Sequence, residues 1–106
     1  MTATQMTASD KINDMATLRA HIDAVDERLV ALLAERHALI ERAARIKARE
    51  GLPARVDWRV EEVIRNAGRR AEARGLDRTL IEGLWRQLVD AAIAQEDRHL
   101  NDGDRG

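Results

Sequence analysis

The chain contains no cysteine, no tyrosine and no phenylalanine. Without thiols, neither a disulfide framework nor a thiolate metal site can be built. Trp58 and Trp85 are the whole aromatic complement, and β-branched residues are sparse. Ala, Leu, Arg and Glu dominate instead, which is the composition of helix rather than of sheet. Neither sign of charge prevails: 18 Lys and Arg stand against 19 Asp and Glu, for a formal net charge of -1. That balance gives no global attraction to nucleic acid or to an anionic membrane. No run approaches the roughly 20 apolar residues needed to span a bilayer. The stretch MTATQMTASD has no basic segment followed by an apolar core, so no secretory signal is expected and the cytoplasm is the expected location. GxGxxG and GxxxxGK[ST] loops are missing, and His21, His37 and His99 show no ligand spacing. No metal and no cofactor are therefore expected. Ser9, the single serine, falls in a segment expected to be flexible, a poor position for a nucleophile.

What is present is helical periodicity. With 106 residues the chain makes one domain at most. The pattern predicts a flexible segment over 1–13, a helical domain over 14–100 and a flexible polar tail over 101–106. The first helix is expected to start at a cap on Asn13 or Asp14 and to run to about Arg49. Its apolar stripe is Leu18, Ile22, Val25, Leu29, Leu32, Leu39, Ala43 and Ile46, spaced by threes and fours. Gly51 and Pro53 stop it. Such a helix is about 50 Å long, roughly three times the average. A second helix is predicted from Asp57 to Arg74, with Val60, Val63, Ile64, Ala67 and Ala71 inward. Gly75 closes it, and Asp77 caps a third helix carrying Leu80, Ile81, Leu84, Trp85, Leu88, Val89, Ala92 and Ile93. Two shorter helices cannot cover both ends of the first one. The expected architecture is therefore all-α, three helices with a long first helix, paired into a homodimer about a two-fold axis.

Several charges interrupt the apolar faces. Arg36 occupies the slot between Leu32 and Leu39, and Lys47 follows eleven residues later, close to three full turns. They are either snorkelling side chains with carboxylate partners or the lining of an anion pocket. Arg19 lies seventeen residues before Arg36, roughly 25 Å along a straight helix. It is either an exposed arginine or a residue that enters the site of a second chain. Arg59, beside Val56, Val60 and Val63, reads as a surface arginine or a binding group. Glu96 continues the 81, 85, 88, 92 line of the third helix, so it is near the core unless that helix has already frayed.

These positions bring a family into view. The stretches Leu18-Arg19-Ala20-His21-Ile22-Asp23 with Val25-Asp26, Leu32-Leu33-Ala34-Glu35-Arg36, and Ala43-Ala44-Arg45-Ile46-Lys47 resemble the all-helical chorismate mutases. So do Arg59-Val60, Gly75-Leu76-Asp77, Glu82-Gly83-Leu84-Trp85 and Ala94-Gln95-Glu96. The likeness spans roughly residues 15 to 100 and includes the related isochorismate pyruvate lyases. It implies an intertwined homodimer whose two active sites are shared. Arg19 matches the arginine lent to the partner's site, Arg36 the carboxylate binder within the chain, and Arg59 a substrate-binding arginine near the start of the second helix. Lys47 matches the lysine at the ether oxygen, and Glu96 a glutamine or glutamate donor to that oxygen. The implied reaction is the pericyclic conversion of chorismate to prephenate, with no cofactor and no metal. It needs only gripped carboxylates and stabilised charge at the breaking C–O bond. Two positions depart from the mutase pattern. Val60 stands where mutases carry an acid that helps hold the ring hydroxyl, and Val56 where they often carry aspartate. The Arg59-Val60 pair is nearer the lyase branch, which eliminates pyruvate from isochorismate to leave salicylate. A mutase of an amino-substituted chorismate, or a non-catalytic helical dimer module, would use the same framework.

Overall fold

A computed structural model describes residues 11–105, with side chains described as far as Asn101. The expected flexibility of residues 1–10 lies outside the described residues. Three helices follow in order: α1 (Met15–Glu50), α2 (Asp57–Ala73) and α3 (Arg78–Arg105). The protein is thus all-α with a long first helix of 36 residues. No helix among the described residues is long and apolar enough to cross a membrane.

Four of the helix ends are closed by local chemistry. Asp14 caps α1, its Oδ1 accepting from the Thr17 N–H at 2.7 Å and its Oδ2 from the Thr17 hydroxyl at 2.8 Å. At the other end Gly51 adopts φ 70°, and the Leu52 N–H reaches back to the Lys47 carbonyl at 2.8 Å. The same closure ends α2. Gly75 takes φ 73°, its N–H bonds to Glu72 O, and the Leu76 N–H bonds to Ala71 O. Both glycines occupy a left-handed position that a side chain would strain. Asp77 then caps α3 through the Thr79 N–H at 3.0 Å. Val56 precedes α2 without a side-chain cap. Helix α3 runs on through Arg105, past Asn101 where the polar composition predicts fraying.

The chain divides into two compact units, one ending at Arg36 and the other starting at His37. In the first unit the apolar stripe of α1 is open, with Ile22, Val25, Leu29 and Leu32 all exposed. In the second unit α2 and α3 pack together. Val60, Ile64 and Val89 form the core, flanked by Val63 and Ile93. Burying each such side chain contributes about 1.5–3 kcal/mol. Ala67, Gly68 and Ala71 continue the buried face of α2. Gly68 lets the Arg78–Glu82 ion pair of α3 lie directly on the α2 backbone. The inward positions predicted for α2 are thus borne out. On α1 the buried residue is Ala44, about 100° around from the predicted Ala43. Leu39 and Ile46 of the predicted stripe are exposed.

Candidate active site

The second unit brings two of the candidate residues together. Lys47 sits in the last turn of α1, and Glu96 lies well inside α3. The Lys47 ammonium donates to the Ala54 carbonyl at 2.7 Å and to Glu96 Oε1 at 3.2 Å. Glu96 Oε2 is 3.1 Å from the same nitrogen, yet accepts no well-directed hydrogen bond. The Glu96 side chain is 6% exposed and that of Lys47 22%. Helix α3 therefore has not frayed at Glu96. The chain sets this pair up locally: the Gly51 turn ends α1 one turn beyond Lys47, and Pro53 carries the backbone round to present the Ala54 carbonyl.

Burying a carboxylate is costly unless a cation and hydrogen bonds compensate. Lys47 supplies the cation, but only one Glu96 oxygen is properly satisfied. An ammonium has three N–H bonds. Two are committed to Ala54 and Glu96 Oε1, and the third can turn to Glu96 Oε2 or to a ligand. The arrangement thus offers a fixed donor beside a carboxyl oxygen that gains a hydrogen bond when it is protonated or meets a donor.

Arg59 is also in this unit, at the start of α2. Its guanidinium donates to Glu62 Oε1 at 2.7 Å, three residues along the same helix, and it is exposed. An exposed pair of this kind contributes little, so Glu62 is readily exchanged for another carboxylate. Arg19 and Arg36 belong to the first unit, seventeen residues apart on α1. Arg19 is exposed and Arg36 half-buried. Neither forms an ion pair among the described residues. Val60, in place of an acid, is a core residue at 8% exposure. Its side chain packs in the core of α2 and α3 and offers no hydrogen bond.

A second polar cluster escaped the reading of the sequence. Gln95 is buried, and its amide donates to Glu41 Oε1 at 2.8 Å and to the His37 carbonyl at 3.3 Å. The His37 ring nitrogen is 3.4 Å from the same amide, and His99 Nδ1 lies 3.7 Å from Glu41. The Gln95 hydrogen bond holds the Glu41 carboxyl below its ordinary value of 4.5; partial desolvation opposes this, and His99, His37 and Arg45 assist it. The signal was the matching four-residue spacing of His37 with Glu41 and of Gln95 with His99. It becomes visible only when α1 and α3 are read as neighbours. Among the described residues no group of His, Asp and Glu is arranged to hold a metal ion.

An apolar groove lined by Ala67, Ala71, Leu76, Ile81 and Trp85, with Arg70 and Arg74, lies at the α2–α3 turn. It contains none of the candidate residues and no acid.

Comparison with known proteins agrees with the helical framework. The family model of chorismate mutase type II matches residues 18–97. The T-protein of Enterobacter agglomerans is 33% identical over 85 residues, and this chain spans 23% of that protein's length. An isochorismate pyruvate lyase of Pseudomonas aeruginosa is 33% identical over 92 residues, covering 86% of this chain and 89% of that one. A 4-amino-4-deoxychorismate mutase of Streptomyces venezuelae is 34% identical over 85 residues, covering 80% and 82%. The match runs from the first turns of α1 to one residue past Glu96, and the chain therefore belongs to the chorismate mutase type II family, with its all-helical fold.

Proposed function

We propose that the protein is a chorismate mutase, converting chorismate to prephenate in a site built over residues 14–100 of two chains. The observation that carries the reading is the Lys47–Glu96 pair, in which Glu96 is buried and its Oε2 lies near the ammonium without a well-directed hydrogen bond. The rearrangement breaks a C–O bond and makes a C–C bond in one step, with no nucleophile. Negative charge grows on the ether oxygen, and donors aimed there lower the barrier. Lys47 is the first such donor. Glu96, once protonated, is the second, because a carboxylate can only accept.

Arg36 and Arg59 would grip the two substrate carboxylates, Arg59 by exchanging Glu62 for the ligand. Arg19 would enter from the partner. The open stripe of Ile22, Val25, Leu29 and Leu32 supports pairing of two first helices, since a soluble chain rarely leaves so much apolar surface bare. The cytoplasm is the proposed location, and neither nucleic acid nor membrane is a proposed partner.

A second reading is supported by two observations. Val60 is apolar and buried, and the relative named isochorismate pyruvate lyase aligns over nearly its whole length. The protein would then eliminate pyruvate from isochorismate. The deciding experiment is to supply chorismate and isochorismate separately and identify the products. Prephenate from chorismate at the higher kcat/KM supports the mutase. Salicylate and pyruvate from isochorismate as the faster reaction overturn it in favour of the lyase. Conversion of neither, with no binding of a bicyclic transition-state mimic, leaves a non-catalytic dimer module.

A further inference from the structure

We propose that Gln95, through Glu41, is a positioning residue that fixes how Glu96 meets Lys47. The catalytic consequence rests on the function proposed above; the positioning itself does not. Gln95 and Glu96 are the two buried polar side chains among the described residues, and they are consecutive. Consecutive helical residues point about 100° apart, so the two leave α3 in different directions. Both nevertheless end on α1, Gln95 at Glu41 and Glu96 at Lys47. Those α1 residues are six apart, which is about 9 Å of rise and about 120° of turn. A single contact between two helices is a pivot. Two contacts, separated along and around both axes, set register and roll together.

The apolar core does not do this work, although Ile40 and Ala43 of α1 are half-buried. The core cluster of Val60, Ile64 and Val89, with Val63 and Ile93, is drawn from α2 and α3 and has no member from α1. The buried side chain of α1 is Ala44, too small to interlock with a neighbour. Directional hydrogen bonds are left to define the approach of α3 to α1. The amide of Gln95 has two N–H bonds for the Glu41 carboxylate and the His37 carbonyl. The bond to Glu41 is charge-assisted and hence the stronger. Without it α3 can roll, and Glu96 moves relative to the Lys47 ammonium and to any ligand held there.

The test uses the full-length protein carrying 15N-labelled lysine. Lys11 and Lys47 are the only lysines, so the two ammonium signals are readily told apart. A hydrogen-bonded, shielded ammonium exchanges its protons with water slowly enough to be seen. Gln95→Leu keeps the volume and removes the donor. It is expected to broaden or shift the Lys47 ammonium signal while helical content holds, and to lower kcat roughly ten- to a hundredfold with KM changing far less. Gln95→Arg returns a donor to Glu41 without adding a lysine and is expected to recover most of both. Glu41→Ala, at a half-buried position, is expected to repeat the Gln95→Leu effects and serves if that variant does not fold. An unchanged Lys47 signal and unchanged kcat in Gln95→Leu, or in Glu41→Ala, overturn the proposal. If the ammonium signal responds as expected but the wild type converts neither chorismate nor isochorismate, the positioning stands and the assigned reaction falls.

Discussion

Lys47 Nζ lies 3.2 Å from Glu96 Oε1 and 3.1 Å from Oε2, joining residues 49 positions apart in the chain. The same nitrogen holds the Ala54 carbonyl, so one side chain ties the end of α1, the following loop and α3 to a single point. Truncating it removes a donor from the proposed ether-oxygen site as well as this tie, and Glu96 can take up a proton to offset the lost cation. Lys47→Ala is expected to raise the barrier by about 3 kcal/mol, roughly a hundredfold in kcat, with helical circular dichroism retained. Wild-type turnover in this variant would remove Lys47 from the site.

Glu96→Gln separates shape from protonation. Only a protonated Glu96 can donate to the ether oxygen, whereas the glutamine amide donates at every pH. Wild-type turnover at saturating substrate is expected to fall toward alkaline pH, where a carboxylate cannot donate. The variant should show a flatter alkaline limb and retain activity there. It need not match the wild type at low pH, where the acid is the stronger donor. Superimposable profiles would count against the donor role, as would a well-folded variant inactive at every pH.

A shared site predicts complementation. Arg19→Ala and Arg36→Ala chains should each be nearly inactive alone. After subunit exchange, the mixed dimer carries one site with both arginines intact, and activity should return to about half the wild-type value per mixed dimer, the value for independent sites. Confirmed exchange without recovery overturns the composite site.

Two glycines should respond in opposite directions. Gly75 sits at φ 73° in the α2 closure, so Gly75→Ala is expected to destabilise by about 1 kcal/mol although the space is open. Gly83 lies within α3 with nothing near its missing side chain, so Gly83→Ala should stabilise by about 0.5–1 kcal/mol. Urea midpoints measure both. A loss of stability in Gly83→Ala that grows on dilution would instead place a partner chain against that face.

Acid should weaken the fold at two identified carboxyls. The Thr17 backbone hydrogen bond holds Asp14 below its ordinary value of 3.8, and the Gln95 amide holds Glu41 below 4.5. Both bind a proton less readily folded than unfolded. Their stabilisation is thus complete above those ordinary values and is lost as pH falls through the lower, folded ones. Asp14→Asn and Glu41→Gln should each reduce the fall in urea midpoint between pH 7 and pH 3. An unchanged fall in both variants would assign acid sensitivity to other groups.

The helix ends at Asp14, Gly51, Gly75 and Asp77 and the inward face of α2 were legible because their causes are local. Asp14, Gly51, Gly75 and Asp77 each act within about five residues, through a cap or a left-handed turn. The three- and four-residue spacing of Val60, Val63, Ile64, Ala67 and Ala71 is a property of helical geometry alone. The sequence by itself therefore determined an all-α chain, three helices, an overlong first one, and the family to which its motif order belongs. What only the tertiary structure decided is which polar groups meet. Glu96 could have been wet or buried until α3 was seen to continue past it and Lys47 to lie against it. Nothing in the sequence paired Gln95 with Glu41, since the two are 54 residues apart and neither segment encodes the other. Arg59 remained a plausible ligand-binding group by position, yet Glu62 occupies it in the folded chain. The reason is physical: periodicity reports which side of a helix faces inward, whereas the identity of a buried polar partner depends on the angle and register at which two helices pack.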